Sequence, residues 1–346
     1  MSHEVLYRKY RPQTFDEVIG QETVVRALEG AIKNKTVAHA YLFAGSRGIG
    51  KTSIARIFAR AIGTSANDIY EIDAASNRGI DDVRALRDAV AVLPFESKFK
   101  VYIIDEVHML TKDAFNALLK TLEEPPKHVV FILATTEIHK LPETVISRCQ
   151  VFEFKRPTVE ILKDTIINIA KKEGFTLELA AAELIALVGD GSFRDTHGIL
   201  ERVIAGIKGN KISRDDVEGA TGSPKSELVR NFVDALVSKN TAKAFEVIAE
   251  IREKNFDPKL FLELTLSLVR MTLLQKMSVP SATAGASEED KKFIADKIAD
   301  KKTAIDSKLL RTLLDAYDYI GISPIHELPL ELLTLDVCGE LAEQEK

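Results

Sequence analysis

Two short segments hold residue types whose spacing does chemistry. Gly45-Ser-Arg-Gly-Ile-Gly-Lys51-Thr52 has the form G-x-x-x-x-G-K-[ST]. In such a loop the backbone N–H groups of Gly45, Ser46, Arg47, Gly48, Ile49 and Gly50 turn inward around phosphate oxygens, Lys51 reaches the outer phosphates, and Thr52 presents its hydroxyl to Mg²⁺. Ser53 leads into a following helix whose N-terminal dipole favours an anion. The second segment, Val101-Tyr-Ile-Ile-Asp105-Glu106, ends an apolar run with two adjacent carboxylates. Alone, that is a solvated strand end. Downstream of a phosphate loop, Asp105 is placed to join Thr52 in a metal shell, and Glu106 to polarise an attacking water.

Strands and helices must hold those groups in place. Apolar runs at 41–44, 69–73, 100–105, 129–134 and 151–154 read as strands, while 53–62, 80–92 and 112–122 show apolar residues at helical spacing. Glu123-Glu-Pro-Pro126 stops the last of these helices. This alternation predicts an α/β domain over residues 1–157, built on a parallel five-stranded sheet covered on both faces.

Beyond Lys155-Arg-Pro157 the strand signals nearly vanish. Residues 158–173, 176–188, 193–207 and 213–220 predict short amphipathic helices, broken by Gly174, Gly189-Asp-Gly191 and Gly206-Ile-Lys-Gly209, which form a small helical lid over 158–222. Thr221-Gly-Ser-Pro224 marks a linker, and 223–346 reads as helix throughout, with a mobile loop expected at 278–287. In the lid, Arg194 stands at a predicted helix start, where the dipole disfavours a cation. It is either solvated or held by an anion, for which a γ-phosphate is the natural choice. Arg148, on a short helix before the last strand, is either a solvated surface charge or an arginine finger for a neighbouring subunit. Thr135 and Thr136 either cap the next helix or hydrogen-bond the attacking water or γ-phosphate.

Composition bounds the function classes. The chain has 346 residues, enough for two or three domains, with 45% hydrophobic and 29% charged residues. A net charge of −5 argues against a protein that coats nucleic acid over its whole surface, but leaves room for a local basic patch. Cys149 and Cys338 are too few for a disulfide framework or a structural zinc site of their own, which points to a reducing compartment. No apolar stretch approaches membrane-spanning length and the N-terminus lacks a signal sequence, so a cytoplasmic protein with no membrane partner is expected.

The ordered set of motifs resembles the bacterial DNA polymerase III clamp-loader ATPase subunits, the gamma/tau family of the AAA+ superfamily. The resemblance rests on Leu6-Tyr-Arg-Lys-Tyr-Arg-Pro-Gln-Thr-Phe-Asp-Glu-Val-Ile-Gly-Gln21, the phosphate loop, Glu71-Ile-Asp-Ala-Ala-Ser-Asn-Arg-Gly-Ile-Asp-Asp-Val-Arg84, Ile104-Asp-Glu-Val-His-Met-Leu110, Asn116 to Pro126, Ala134-Thr-Thr-Glu137 and Ser147-Arg-Cys149. It implies an AAA+ P-loop NTPase domain, a helical lid and, over 223–346, an all-helical collar for oligomerisation. By the same resemblance the nucleotide is ATP with Mg²⁺. Tyr7, Arg11 and Pro12 line the adenine side, Arg194 is the lid arginine called sensor 2, Thr136 belongs to sensor 1, and Arg148 acts in trans.

That family implies an arc of subunits, including delta, delta-prime and copies of the chain itself, which opens a sliding clamp and sets it on primed DNA, near the nucleoid. Contacts to DNA phosphates are implied for Arg78, Arg84, Lys140 and Thr144, giving affinity without sequence preference. Lys120 resembles a residue that holds the base, Glu106, away from water until DNA arrives. One departure is plain: the family's four-cysteine zinc module is replaced by Ala61-Ile-Gly-Thr-Ser-Ala-Asn67, and no zinc is expected. The chain is expected to resemble the short, loader-only form of the family, without the extension by which longer forms bind helicase and polymerase. Rival readings are an archaeal or eukaryotic small clamp-loader subunit, a non-hydrolysing delta-prime scaffold, and a translocating helicase motor. The Asp105-Glu106-Val107-His108 and Leu122-to-Pro126 patterns disfavour the first of these, and the intact Lys51, Thr52, Asp105 and Glu106 disfavour the second.

Overall fold

The computed structural model describes residues 4–77, 79–279, 282–283, 286–300 and 305–339. It divides into two compact units, one of residues 1–162 with 189–198, the other of 163–188 with 199–346. Arg78 and residues 280, 281, 284 and 285 of the expected mobile loop lie outside the described residues.

The first unit is built on strands β1 (Ala40–Ala44), β2 (Ile69–Asp73), β3 (Lys100–Asp105), β4 (Val129–Thr135) and β5 (Gln150–Glu153). They form one five-stranded sheet in the order β2-β3-β4-β1-β5, with every neighbouring pair parallel. Its helices are α1 (Leu6–Lys9), α2 (Glu22–Lys33), α3 (Lys51–Ala61), α4 (Ile80–Val90), α5 (Lys112–Glu123) and α6 (Glu143–Ile146). Side chains alternate across each strand, and here both faces are covered, so the strands read as continuous apolar runs. Leu42, Tyr102, Ile104, Phe131 and Leu133 pack on one face with Val83 and Leu86 of α4 and Phe115 and Leu118 of α5. Tyr41, Phe43, Val101, Ile103, Val130 and Ile132 pack on the other, with Leu28 of α2 and Ile54 and Phe58 of α3.

Register decides which loops meet. Ala44 is level with Thr135, and Ile104 with Leu133, so β1, β3 and β4 run out at the same edge of the sheet. In open parallel sheets ligands bind outside the carboxyl ends of the strands, where the strand order reverses. Here the phosphate loop follows β1, which lies between β4 and β5.

Two buried charged groups brace the opposite side. Lys100, 5% exposed at the start of β3, donates from Nζ to the carbonyl of Ala89 at 2.9 Å near the end of α4 and lies over the Tyr70 ring. A cation at a helix C-terminus satisfies an orphan carbonyl and the dipole together. Asp68 is fully buried and accepts the backbone N–H groups of Phe95, Glu96 and Ser97 at 2.5, 3.0 and 2.8 Å.

The second unit takes in the parts of α7 (Val159–Lys172) and α9 (Phe193–Gly206) that lie outside the first, then α8 (Leu179–Val188), α10 (Arg214–Thr221), α11 (Ser226–Val237), α12 (Thr241–Glu253), α13 (Pro258–Lys276), α14 (Glu288–Ala299), α15 (Ser307–Ile320) and α16 (Leu328–Cys338). Five of its helices, α10 and α12–α15, start where a side chain accepts an orphan N–H group, from Ser213, Asn240, Asp257, Ser287 and Asp306 in turn. Residues 176–188 are not one helix. Thr176–Leu177 (β6) pairs in parallel with Lys211–Ile212 (β7), and α8 starts only at Leu179. Two-residue strands have no period to read, so a propensity reading extends the helix through them. At the expected linker Ser223 is buried, and Glu218 of α10 accepts from the backbone N–H of Ser226 at 3.1 Å. Among the described residues no helix is long and apolar enough to cross a membrane.

Burial raises the Asp68 carboxyl, but the three N–H donors and the Ser97 hydroxyl outweigh it and bring it down to about 2. A folded-state value below the unfolded one means that its stabilisation is complete above the unfolded value and is lost as pH falls through the folded one. Asp68→Ala is expected to lower stability by about 2 to 3 kcal/mol at neutral pH. Urea titrations should show the gap to the unsubstituted protein holding down to about pH 5 and narrowing below it. A gap independent of pH would refute this account.

Candidate functional site

The loop from Gly45 to Gly50 leaves β1 and enters α3 at Lys51. It is fixed at its start by Gly45 N–H donating to the Thr135 carbonyl at 3.1 Å. Gly45 and Gly48 have φ of +148° and +75°. A Cβ on Gly45 would lie 2.8 Å from the Phe154 carbonyl oxygen, and one on Gly48 would lie 1.9 Å from Ser192 Oγ. Both positions therefore need glycine for conformation and for space.

Lys51 is 5% exposed, and its ammonium donates to the carbonyls of Gly45 and Ser46 at 2.7 and 2.8 Å. Burial lowers its pKa, Glu106 and Asp105 work against that, and Arg194 adds to it. Among the described residues no carboxylate lies within ion-pair distance of Lys51. The Ser46 hydroxyl is likewise buried without a hydrogen-bond partner. A buried cation that no carboxylate pairs directly, beside an orphaned hydroxyl and a helix N-terminus, is a site that fits a polyphosphate.

The neighbouring strand ends fit the metal and the water. Thr52 Oγ1 donates to Asp105 Oδ2 at 2.7 Å, so the two oxygens suited to Mg²⁺ are already together. Glu106 follows in the left-handed region at φ +48°, an unfavourable conformation for a non-glycine residue and one that gathers at functional sites. It turns the carboxylate toward the end of β4, where Thr136 Oγ1 donates to Glu106 Oε2 at 3.0 Å. Asp105 and Glu106 thus leave the same strand end with different partners.

Residues 189–198 return to this unit after α8. Asp190 and Gly191 have positive φ, and Arg156 bonds the Asp190 carbonyl at 2.8 Å. Phe193 N–H then donates to the Gly48 carbonyl at 3.0 Å. Arg194 is set beside the phosphate loop: a Cβ on Gly48 would lie 3.4 Å from Arg194 Cβ, and the guanidinium carbon is 6.0 Å from the Tyr7 ring centre. The structure thus brings together Tyr7, the loop, Lys51, Thr52, Asp105, Glu106, Thr136 and Arg194, drawn from segments far apart in sequence.

Other expected residues are placed elsewhere or more loosely. Arg11 and Pro12 follow α1 half-buried, and Arg60 of α3 ties that segment down by donating to the Gln13 carbonyl at 3.0 Å. Ser53 lies in the first turn of α3, and Arg47 and Ile49 in the loop. Arg148 donates to the Thr144 carbonyl at 2.7 Å and pairs with Glu123 at 2.6 Å. Arg84 is exposed and paired with Asp81, Lys140 is exposed and paired with Glu137, and Thr144 is exposed. Lys120 is exposed on α5.

Three residues were given no role of their own by the sequence reading. Ser192 fills the space above Gly48 and accepts from Asp195 N–H at 3.2 Å. Gln21, 3% exposed, clasps the Lys155 backbone through its amide at 2.7 and 3.1 Å. His108 stands between Glu106 and Glu137. Each acts through a contact made by the tertiary fold, and spacing holds no signal for it.

Gly48→Ala is expected to push Ser192 and Arg194 away from the loop and to weaken ATP binding about tenfold or more, in titrations with a fluorescent ATP analogue. Adding Ser192→Gly removes the clash and should restore part of the affinity. Unchanged binding by Gly48→Ala would show that the 192–194 segment has no part in holding nucleotide.

A family model described as DNA polymerase III, delta subunit, matches residues 20–77 and 63–158. The chain is 42% identical over 297 residues to the DNA polymerase III subunit tau of Bacillus subtilis, a match covering 80% of this chain and 53% of that one. It is 39% identical to the tau subunit of Escherichia coli, covering 80% of this chain and 46% of that one. It thus spans about half the length of these tau relatives. Among solved structures, the Thermotoga maritima RuvB Holliday junction branch migration motor aligns with a TM-score of 0.52 at 28% identity, over 66% of this chain and 79% of that chain. The DNA polymerase III subunit gamma of Buchnera aphidicola is 34% identical, and the match covers 97% of this chain and 96% of that one. With such a relative matched almost end to end, and with the phosphate loop, paired carboxylates and Arg194 converging at one sheet edge, the chain belongs to the DNA polymerase III gamma/tau subunit family.

Proposed function

We propose that the chain is an ATPase subunit of a bacterial clamp loader, in which binding and Mg²⁺-dependent hydrolysis of ATP drive the opening of a ring-shaped clamp and its placement on primed DNA. The observation that carries this reading is the buried Lys51 ammonium, in direct ion-pair contact with no carboxylate, beside the Thr52–Asp105 pair. A scaffold subunit that only holds its neighbours has no use for a buried cation whose counter-charge must come from a ligand.

Magnesium-bound ATP supplies a γ-phosphoryl group whose transfer needs positioning and charge stabilisation more than covalent help from the protein. Lys51 and the loop N–H groups grip the phosphates, and Thr52 and Asp105 hold the metal. Glu106, oriented by the Thr136 hydroxyl, takes a proton from the attacking water. Arg194 adds positive charge on the far side of the loop, stacked near Tyr7, while Tyr7, Arg11 and Pro12 border the base. Arg148 reaches a neighbouring copy's γ-phosphate once it leaves Glu123.

The partners follow from chemistry and kinship. Exposed apolar residues of the second unit, Leu314, Tyr319, Ile322, Ile325, Leu332 and Leu335, are 38–76% exposed on and between α15 and α16. A patch of this kind suits contact with other loader subunits, delta and delta-prime among them, through 223–346 acting as a collar. Arg84, Lys140, Thr144 and Arg78 are proposed to meet DNA phosphates, so binding should be insensitive to sequence and weakened by salt.

Two measurements test the reading. ATP turnover by the assembled subunits should rise when clamp and primed duplex are added, and Lys51→Ala should abolish it; turnover indifferent to both additions points to a different AAA+ switch. Arg148→Ala should leave the ATP dissociation constant within about twofold but depress turnover by about a hundredfold or more, because its target lies in another subunit. Loss of binding in the same proportion would place its action within its own chain.

A further inference from the structure

Arg156 stands just beyond β5, and the motif chemistry described above gives it no task. The backbone it leaves is pinned on two sides. Phe154 N–H donates to the Ala44 carbonyl at 2.8 Å, and Lys155 is held through both its N–H and its carbonyl by the amide of buried Gln21. Pro157 follows, and a residue before proline is confined to extended backbone, so Arg156 is aimed from a fixed base. Its target is the turn from Gly189 to Ser192, closed by Ser192 N–H donating to the Gly189 carbonyl at 2.9 Å. Both central residues, Asp190 and Gly191, have positive φ, +41° and +72°, as in the mirror-image turns. One guanidinium nitrogen, Nη2, donates to the Asp190 carbonyl at 2.8 Å and to Asp190 Oδ2 at 3.0 Å. The rest of the side chain lies over Gly191, where an added Cβ would come 3.1 Å from Nε and 3.5 Å from Cζ. The turn leads straight to the seat of Arg194. Ser192 Oγ accepts Asp195 N–H in the first turn of α9, and Phe193 N–H reaches the Gly48 carbonyl.

We propose that Arg156 is a positioning residue for Arg194: by holding the turn at 190–191 to the end of β5, it fixes where the Arg194 guanidinium lies over the phosphate loop, and so sets the preference of the site for a nucleoside triphosphate over a diphosphate. The inference rests on the proposed reading of Arg194 as the positive charge offered to the γ-phosphate. As an ion pair the contact is weak, because the Arg156 and Asp190 side chains are 56% and 66% exposed. Its value lies in direction. A non-glycine residue in the left-handed region is disfavoured, so the turn has other backbone conformations close in energy. The bond to the Asp190 carbonyl and the guanidinium plane over Gly191 select the conformation in which Phe193 meets Gly48. A small rotation of the turn displaces Arg194, while the loop itself stays fixed by Thr135 and by α3. A diphosphate held by the loop feels little of that change; a triphosphate loses a charge that was already in place. No covalent bond is made or broken.

The test measures the dissociation constants of magnesium-ATP and magnesium-ADP for the full chain by titration calorimetry, with urea midpoints as a check on the fold. Arg194→Ala comes first. It should lower the preference for ATP over ADP about tenfold or more, and an unchanged preference means that Arg194 does not address the γ-phosphate, so that this proposal falls with that reading. Given that loss, Arg156→Ala should weaken ATP about fivefold, leave ADP within about twofold and hold the urea midpoint. Arg156→Lys keeps the charge but not the planar group over Gly191, and should recover only part of the preference. In the Arg194→Ala background, Arg156→Ala should change the preference no further, because it acts through a side chain already removed. Equal weakening of ATP and ADP by Arg156→Ala, an unchanged preference, or a further loss in the double variant overturns the proposal. Should Arg156→Ala fail to fold, Arg156→Lys decides alone: a reduced preference supports the proposal and an unreduced one overturns it.

Discussion

A buried ammonium with no carboxylate to neutralise it is the constraint around which the nucleotide-binding unit is organised. Lys51 hydrogen-bonds only to the carbonyls of its own loop, and burial and Arg194 destabilise its charge while Glu106 and Asp105 offset part of that cost from a distance. Such a group is costly to keep in an empty protein. It persists because the loop is fixed at both ends, by β4 through Gly45 and by α3 through the helix that starts at Lys51 itself. A ligand rich in negative charge is suited to relieve that cost. The nearby carboxylates, Asp105 and Glu106, relieve it only in part, because their hydrogen bonds are to Thr52 and Thr136.

Strand register turns this local arrangement into a site. Residues at the ends of β1, β3 and β4 meet because parallel neighbours terminate at one edge, and none is adjacent to the others in the chain. The same edge receives residues 189–198, which pack on Gly48 although the helices on either side of them in sequence belong largely to the second unit. The loop is thus flanked by a segment that the chain has sent away and brought back.

The polar groups fall into two sets with different surroundings. Arg148 and Arg84 are held by carboxylates at or near the surface, Glu123 and Asp81, and such exposed pairs are weak. They can exchange an internal partner for an external phosphate at little cost. His108 and Asp68 are enclosed, and each faces partners fixed by backbone: Thr135 at the end of β4 for one, the N–H groups of 95–97 for the other. With a net charge of −5 overall, anion recognition is confined to places where the fold gathers cations, and is not a property of the whole surface.

Much of this was legible in the amino-acid sequence. The five strands were read to within about a residue, because apolar runs covered on both faces leave few other solutions. The placement of the phosphate-loop motif and of Asp105 and Glu106 at strand ends was legible for a related reason, since a loop or carboxylate that follows an apolar strand leaves a fixed spacing. The short β6–β7 pair, the seat of Ser192 above Gly48, the clasp of Gln21 and the place of His108 between Glu106 and Glu137 left no such trace. They depend on which segments lie side by side and on distances of a few ångströms between them. Local spacing determines what a segment can do, but only the packed sheet, which brings β1, β3 and β4 to one edge, decides which side chains share a charge.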